Sequence, residues 1–167
     1  GALDEENRIT SEGSAFASMP VHPRLARMLL FCPEALTDMA CDLAALFSEK
    51  DPFRDESVDL GRKLDRLRSE GHKAHRILRV SQELHKIVSG TRKNASARAA
   101  GFSPARGEEA GFLAMLAYPD RIGMLRQGSS NRYLLSSGSG ALLDEKDPLC
   151  GSRFIVCAHI DDRAGDA

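Results

Sequence analysis

Two parts of the sequence bring cationic side chains to a spacing that suits phosphate. Between residues 60 and 88, Arg62, Lys63, Arg66, Arg68, Lys73, Arg76, Arg79 and Lys86 interleave with apolar residues at helical period. Cations repeated along a helix face neutralise successive phosphates of a strand and release its counterions. Further on, Tyr118, Arg121, Arg126, Arg132 and Tyr133 mix aromatic rings with guanidiniums, the combination used for base stacking and phosphate contact. The candidate nucleic-acid contacts are therefore Arg62, Arg66, Arg76, Arg79, Arg121 and Arg132. Each has a plainer reading. A charged helix face is ordinarily just solvated, and with aromatic residues at only 5% of the chain, Tyr118 before Pro119 suits a core plug better than a stacking platform. Arg24 and Arg27, three apart on one helix, suit either a phosphate or acidic neighbours such as Glu34 and Asp38.

Other chemistries find no support. Cys32, Cys41, Cys150 and Cys157 form no CxxC pair and no group with histidine, so they read as buried or free thiols in a reducing compartment. His72, His75 and His85 lack a carboxylate or cysteine placed to complete a metal site. The run "SSGSG" is not a nucleophile elbow, because Ser137 stands two before Ser139 where GxSxG needs glycine. No GxxxxGK[ST] phosphate loop occurs.

The elements that must carry the cations are mostly helical. "ALDEENRITSEGSAFASM" reads as a turn, an extended "RIT" and a helix capped by Thr10 or Ser11. Pro20 and Pro23 flank Val21 and His22, fixing φ and holding His22 extended, so that Pro23 opens the helix "PRLARMLLF" from a rigid elbow; Pro33 stops it. "PEALTDMACDLAALFSEK" aligns Leu36, Met39, Ala40, Leu43, Leu46 and Phe47 on one face. The cationic block then gives two amphipathic helices, one on Leu60, Leu64 and Leu67, the other on Ala74, Ile77, Leu78, Ser81, Leu84, Ile87 and Val88, broken at Gly71. Residues 89–107, rich in Ser, Gly, Ala and Arg, read as a mobile loop, and "EEAGFLAMLAY" as a last helix before Pro119. Beyond it "NRYLLSSGSGALL" and "SRFIVCAHI" read as strands of a small antiparallel sheet. Helices first and strands last predict a mainly α chain of two packed subdomains.

Charge is strongly segregated behind a net charge of −1. Residues 1–59 hold 5 Lys/Arg against 12 Asp/Glu, residues 60–106 hold 12 against 3, and residues 107–167 hold 6 against 9. The 167 residues suffice for one good core or two small ones. No apolar run approaches the ~20 residues of a membrane span and no signal-peptide pattern opens the chain, which points to a cytoplasmic protein with no membrane partner. The initial Gly and the strand-like "SRFIVCAHIDDRAGDA" at the other end suggest a piece of a longer protein.

"AYPDRI", "RYLLSSGSGALL…DPL…FIVCAHID" and the opening "GALDEENRITSEGSAFASMPVHPRLARMLL" together resemble a bacterial branch of the DEAH-box ATP-dependent RNA helicases. The resemblance covers nearly the whole chain, residues 89–107 excepted. It implies a C-terminal portion: residues 1–19 as the end of a winged helix, 20–118 as a helical, ratchet-like bundle, and 119–167 as the β-rich start of a partial OB-like barrel. The proline elbow would join the first two and transmit motor movement without slack. The resemblance also implies a parent enzyme that hydrolyses ATP with Mg, and partners in single-stranded nucleic acid, RNA above all, and in RecA-like motor domains of the same parent chain. This chain itself would hold no cofactor, since Asp4-Glu5, Asp55-Glu56 and Asp144-Glu145 lie outside any DExH context. Where the family carries arginine after glycine, this sequence has Ser14 and Ser139, which removes two guanidiniums and any phosphate contact they would make. The competing reading is a helical protein-interaction module whose basic face meets an acidic partner.

Overall fold

Helix α2 (Pro23–Phe31) starts where the chain stiffens. In the computed structural model, which describes residues 2–50, 52, 53, 58–92, 104, 105 and 107–161, Pro23 takes the first helical turn. Its N-cap is His22, whose Nδ1 accepts the Arg24 N–H at 3.2 Å. The sequence reading held His22 extended but did not foresee that its ring would cap. Before it, α1 (Ser11–Ala17) is capped by Thr10, whose Oγ1 accepts the Gly13 N–H at 3.0 Å. The strand-like stretch ahead of α1 shrinks to an antiparallel bridge between Leu3 and Ile9. Gly13 has to be glycine, since a Cβ there would lie 2.1 Å from the Ala2 carbonyl oxygen. Phe16 of α1 is buried and meets Phe31 of α2 edge-on, ring centroids 6.0 Å apart.

A 3-10 turn at Glu34–Leu36 leads into α3 (Thr37–Ser48). One apolar face was expected; instead Ala40, Cys41, Leu43, Ala44, Ala45 and Leu46 are all buried. Small side chains let neighbours approach on several sides, and α3 touches α2, α4 (Leu60–Ser69), α5 (His75–Arg92) and α6 (Glu109–Ala117), α5 most extensively. Phe53, Leu67, Ala74 and Ile77 close one core cluster against Ala45 and Leu46. Ser81, a buried polar residue of α5, donates its hydroxyl to Asp42 Oδ1 of α3 at 2.7 Å, so it costs no unpaired group.

Helix α5 corrects the loop expected from residue 89, because its backbone stays helical through Arg92. The rest of that loop lies largely outside the described residues. Arg27 does not pair with Glu34 or Asp38: its Nη1 donates to the Leu116 carbonyl near the C-terminal end of α6, and its guanidinium lies 5.9 Å from the Phe31 ring centroid. A cation there satisfies a helix-end carbonyl that α6 leaves open.

The chain divides into two compact units, Gly1–Ala117 and Tyr118–Ala167. The second is an antiparallel sheet in the order β3-β2-β1-β4, built from β1 (Ile122–Leu125), β2 (Arg132–Leu135), β3 (Gly140–Leu142) and β4 (Phe154–Val156). Central strand β1 was missed in the sequence, as was the burial of Tyr133, which is fully enclosed. Gly123 makes that enclosure possible: a Cβ there would sit 3.1 Å from both Ile155 Cγ1 and Leu135 Cδ2 and 3.2 Å from Tyr133 Cβ.

Candidate nucleic-acid interface

The cationic helices α4 and α5 turn Leu64, Leu67, Ile77, Leu84 and Val88 inward, which leaves the charged positions on the outside. Arg62, Arg68, Arg76, Arg79 and Lys86 are exposed. Carboxylates accompany most of them. Arg62 Nε lies 3.8 Å from Asp59 Oδ2, the residue that also caps α4 by accepting the Gly61 N–H. Arg79 Nε pairs with Glu83 Oε1 one turn on, at 3.2 Å. Arg76 Nε pairs with Glu49 Oε2 at 2.7 Å, beyond the end of α3. His85 Nε2 lies 3.0 Å from Asp38 Oδ1. The field of this face is thus lower than a count of cations in the sequence implies, although exposed pairs of this kind open readily.

Arg66 differs from its neighbours. It is half-buried, its guanidinium sits 4.6 Å from the Phe53 ring centroid, and its Nε donates to Glu70 Oε1 at 2.8 Å. Lys73 Nζ meets the other oxygen of Glu70 at 2.6 Å. Hydrogen bonds from Arg66 and Lys73 hold the Glu70 carboxyl at about 2, well below its ordinary 4.5. Arg66 is therefore a tie across the break between α4 and α5, joined to the core through Phe53. Lys50, Lys73 and Arg76 line one shallow recess together with Glu49, Pro52, Ala74 and Ile77. Lys50 was not singled out in the sequence, and nothing local marks it, because only the packing of α3 on α5 brings it there.

In the sheet unit the expected cluster separates. Arg121 is half-buried, stacked 5.2 Å from the Tyr118 ring centroid, and its Nη1 donates to the Ala158 carbonyl at 2.9 Å. Tyr133 is no platform at all: its ring is enclosed, burial pushes its phenol upward in pKa, and its hydroxyl donates to the Leu149 carbonyl at 3.4 Å. Arg132 is exposed on β2. Among the described residues no group of three His, Cys, Asp or Glu is placed to hold a metal ion. No helix among them is long and apolar enough to cross a membrane. All four cysteines are free; Cys32 and Cys41 are buried, and burial pushes the Cys157 thiol up.

A helical unit with one cation-bearing pair of helices, followed by a small antiparallel sheet, has a counterpart among known proteins. Residues 22–90, which contain α2 to most of α5, match the helicase associated domain (HA2), ratchet-like, and that is the class of domain the first unit defines. More particularly, the chain is similar over nearly its whole length to HrpB, a DExH-box helicase of Escherichia coli. It is 33% identical to the ATP-dependent RNA helicase HrpB of that organism (strain K12) over 164 residues, 93% of this chain and 17% of the relative. It is 43% identical over 54 residues to the DExH-box ATP-dependent RNA helicase DExH2 of Arabidopsis thaliana, 32% of this chain and 3% of that protein. Among solved structures, the E. coli DExH-box NTPase HrpB superposes with a TM-score of 0.71 at 28% identity, covering 98% of this chain and 18% of that one. A second crystal structure, of the E. coli DEAH/RHA helicase HrpB, gives 0.64 at 29% identity, over 93% and 18%. The chain thus spans under a fifth of the length of the HrpB proteins it matches.

Proposed function

We propose that this chain is an accessory region of an ATP-dependent, HrpB-like RNA helicase, and that the outer face of α4 and α5 contacts single-stranded nucleic acid while the bundle couples to RecA-like motor domains. The observation that carries this reading is a coincidence of place. The stretch matching the ratchet-like domain, residues 22–90, holds the helices on which the cations of this otherwise acidic chain are concentrated. Arg62, Arg76 and Arg79, with Arg68 and Lys86, supply the contacts; Arg66 holds the turn that aligns them. The ion pairs of these exposed arginines with the half-buried Asp59 and Glu49 and with the exposed Glu83 would be exchanged for phosphates, at a cost of about 1 kcal/mol or less each.

ATP and Mg would be held by motor domains and not by this chain, whose sequence has no phosphate loop. The purified chain is expected to hydrolyse no ATP above background, and a turnover that survives removal of contaminants would refute that. A cytoplasmic setting accords with this role.

The test of the interface is fluorescence anisotropy with a labelled oligouridylate across a salt series. Binding is expected to weaken with salt by a log–log slope of about 0.7 per phosphate contacted. Reversing Arg62, Arg76 and Arg79 to Glu is expected to weaken binding and flatten the slope. Arg121→Ser with Arg132→Ser serves as the comparison. If that pair abolishes binding while the triple reversal leaves it intact, the strand runs over the sheet unit and the proposal fails. It fails equally if the chain ignores RNA and instead captures an acidic protein through α4 and α5.

A further inference from the structure

The sheet unit has two unlike faces. One is its core, with Gly123, Tyr133 and Leu135 buried. The other follows from the register, which places Phe154 opposite Met124 and Met124 opposite Leu134, in a row across three strands. These side chains and Leu142 are 55%, 50%, 41% and 72% exposed. A row of apolar groups in the middle of a sheet face is not a scatter of single exposed residues, and patches of this kind mark interaction sites.

The same register continues one step further along β1 and β2. The Arg126 N–H donates to the Arg132 carbonyl at 2.9 Å, so the two arginines stand directly opposite one another, on the face that carries Met124 and Leu134. Like charges in directly opposed positions destabilise a strand pair. Both are exposed, and among the described residues no carboxylate lies within ion-pair distance of either. Two guanidiniums carried on one face suit carboxylates, which accept bidentate bonds from guanidinium.

We propose that this face docks an acidic amphipathic segment of a partner protein, its apolar side chains lying across Phe154, Met124 and Leu134 and its carboxylates reaching Arg126 and Arg132. The charge of the face selects the sign of the partner, and its composition selects the class. Three of the four apolar groups are aliphatic, which suits leucine-like side chains. The single aromatic, Phe154, already carries the Arg153 guanidinium 5.3 Å from its ring centroid, which leaves no open platform for successive bases. The inference is independent of the nucleic-acid reading of α4 and α5, since it concerns a different unit and a different ligand.

The probe is a labelled amphipathic helical peptide of about 16 residues, with leucines at i, i+3, i+4 and i+7 and glutamates at one end, beside a counterpart with lysines for the glutamates. With the full chain, anisotropy is expected to show the acidic peptide binding at least about tenfold more tightly than the lysine peptide. Arg126→Glu with Arg132→Glu is expected to invert that preference, a gain that an unfolded variant cannot show. Met124→Ser with Leu134→Ser is expected to weaken both peptides. Unchanged affinity for the acidic peptide in the double reversal overturns the proposal. So does displacement of that peptide by oligouridylate with loss of RNA binding in the serine variant, which would make the face an RNA surface. Sedimentation that finds a dimer dissolved by the serine substitutions overturns it too, by assigning the face to a second copy.

Discussion

Arg76, in the first turn of α5, reaches back to Glu49 just past the end of α3, with Nε 2.7 Å from Oε2. The two are 27 positions apart in sequence, and only the packing of α5 on α3 joins them. The carboxylate offsets a cation that the proposed interface would use. Glu49→Gln is therefore expected to raise affinity for oligouridylate by about two- to fivefold, the scale of one exposed pair. Anisotropy at low salt reads this directly; unchanged or weaker binding would show that Arg76 does not meet phosphate.

The tie of Glu70 to Arg66 and Lys73 predicts a pH dependence with a definite sign. Its carboxyl titrates at about 2 in the folded chain against an ordinary 4.5. A depressed carboxyl contributes stability that is fully present above the unfolded value and is lost as pH falls through the folded one. The Tm difference between wild type and Glu70→Gln is thus expected to be constant above about pH 5 and to close toward pH 2. A difference that ignores pH over that window would mean that Glu70 acts by packing alone.

The proline elbow and the Phe16–Phe31 contact both hold α1 against α2, and they can be separated. Pro20→Ala with Pro23→Ala relaxes φ in the unfolded and folded chain and is expected to cost about 0.4–1 kcal/mol per site at most. Phe16→Ala removes a buried ring and is expected to cost about 3–5 kcal/mol. Hydrogen exchange across residues 10–24 is expected to rise much more in the phenylalanine variant. Equal exchange in the two would return the joint to the prolines.

Gly13→Ala tests the opening loop. Its new Cβ would meet the Ala2 carbonyl oxygen, which also accepts the Thr10 N–H at 3.0 Å. The backbone has to move, so a loss of about 1–3 kcal/mol is expected. Faster exchange of the Thr10 amide is the readout, and a protected Thr10 amide in the variant would show that the loop accommodates the methyl group.

Much of the helical unit was legible because its signals are local. Pro23 and Pro33 bracket α2 within a residue or two, Asp59 sits where a cap belongs, and the leucines at 60, 64 and 67 keep helical period. The ratchet-like match and the small antiparallel sheet agree with the expected fold. What failed was long-range or too short to have a period. Strand β1 has four residues, one of them Gly123, and no alternation to announce it. Tyr133 looked like a surface ring because nothing local shows that Gly123 lets the sheet close over it. Alanine-rich α3 gave a one-sided reading, since small residues carry little hydrophobic signal on the sides they bury. Of the candidate contacts, the sequence placed Arg62, Arg76, Arg79 and Arg132 at the surface. It did not show that Arg66 and Arg121 are built into the fold, because Phe53, Glu70, Tyr118 and Ala158 become their neighbours only through the turns between elements.

The bond from the Ser81 hydroxyl to Asp42 bears on how the bundle can move. Sliding α5 along α3 by one helical turn, about 5.4 Å, would break the Ser81–Asp42 bond together with the contact of His85 and Asp38 one turn along the same helices. The bond works as a key in a slot, fixing axial position while leaving the pair free to tilt as one body. Any displacement of this bundle must therefore carry α3 and α5 together, with any give confined to the ends.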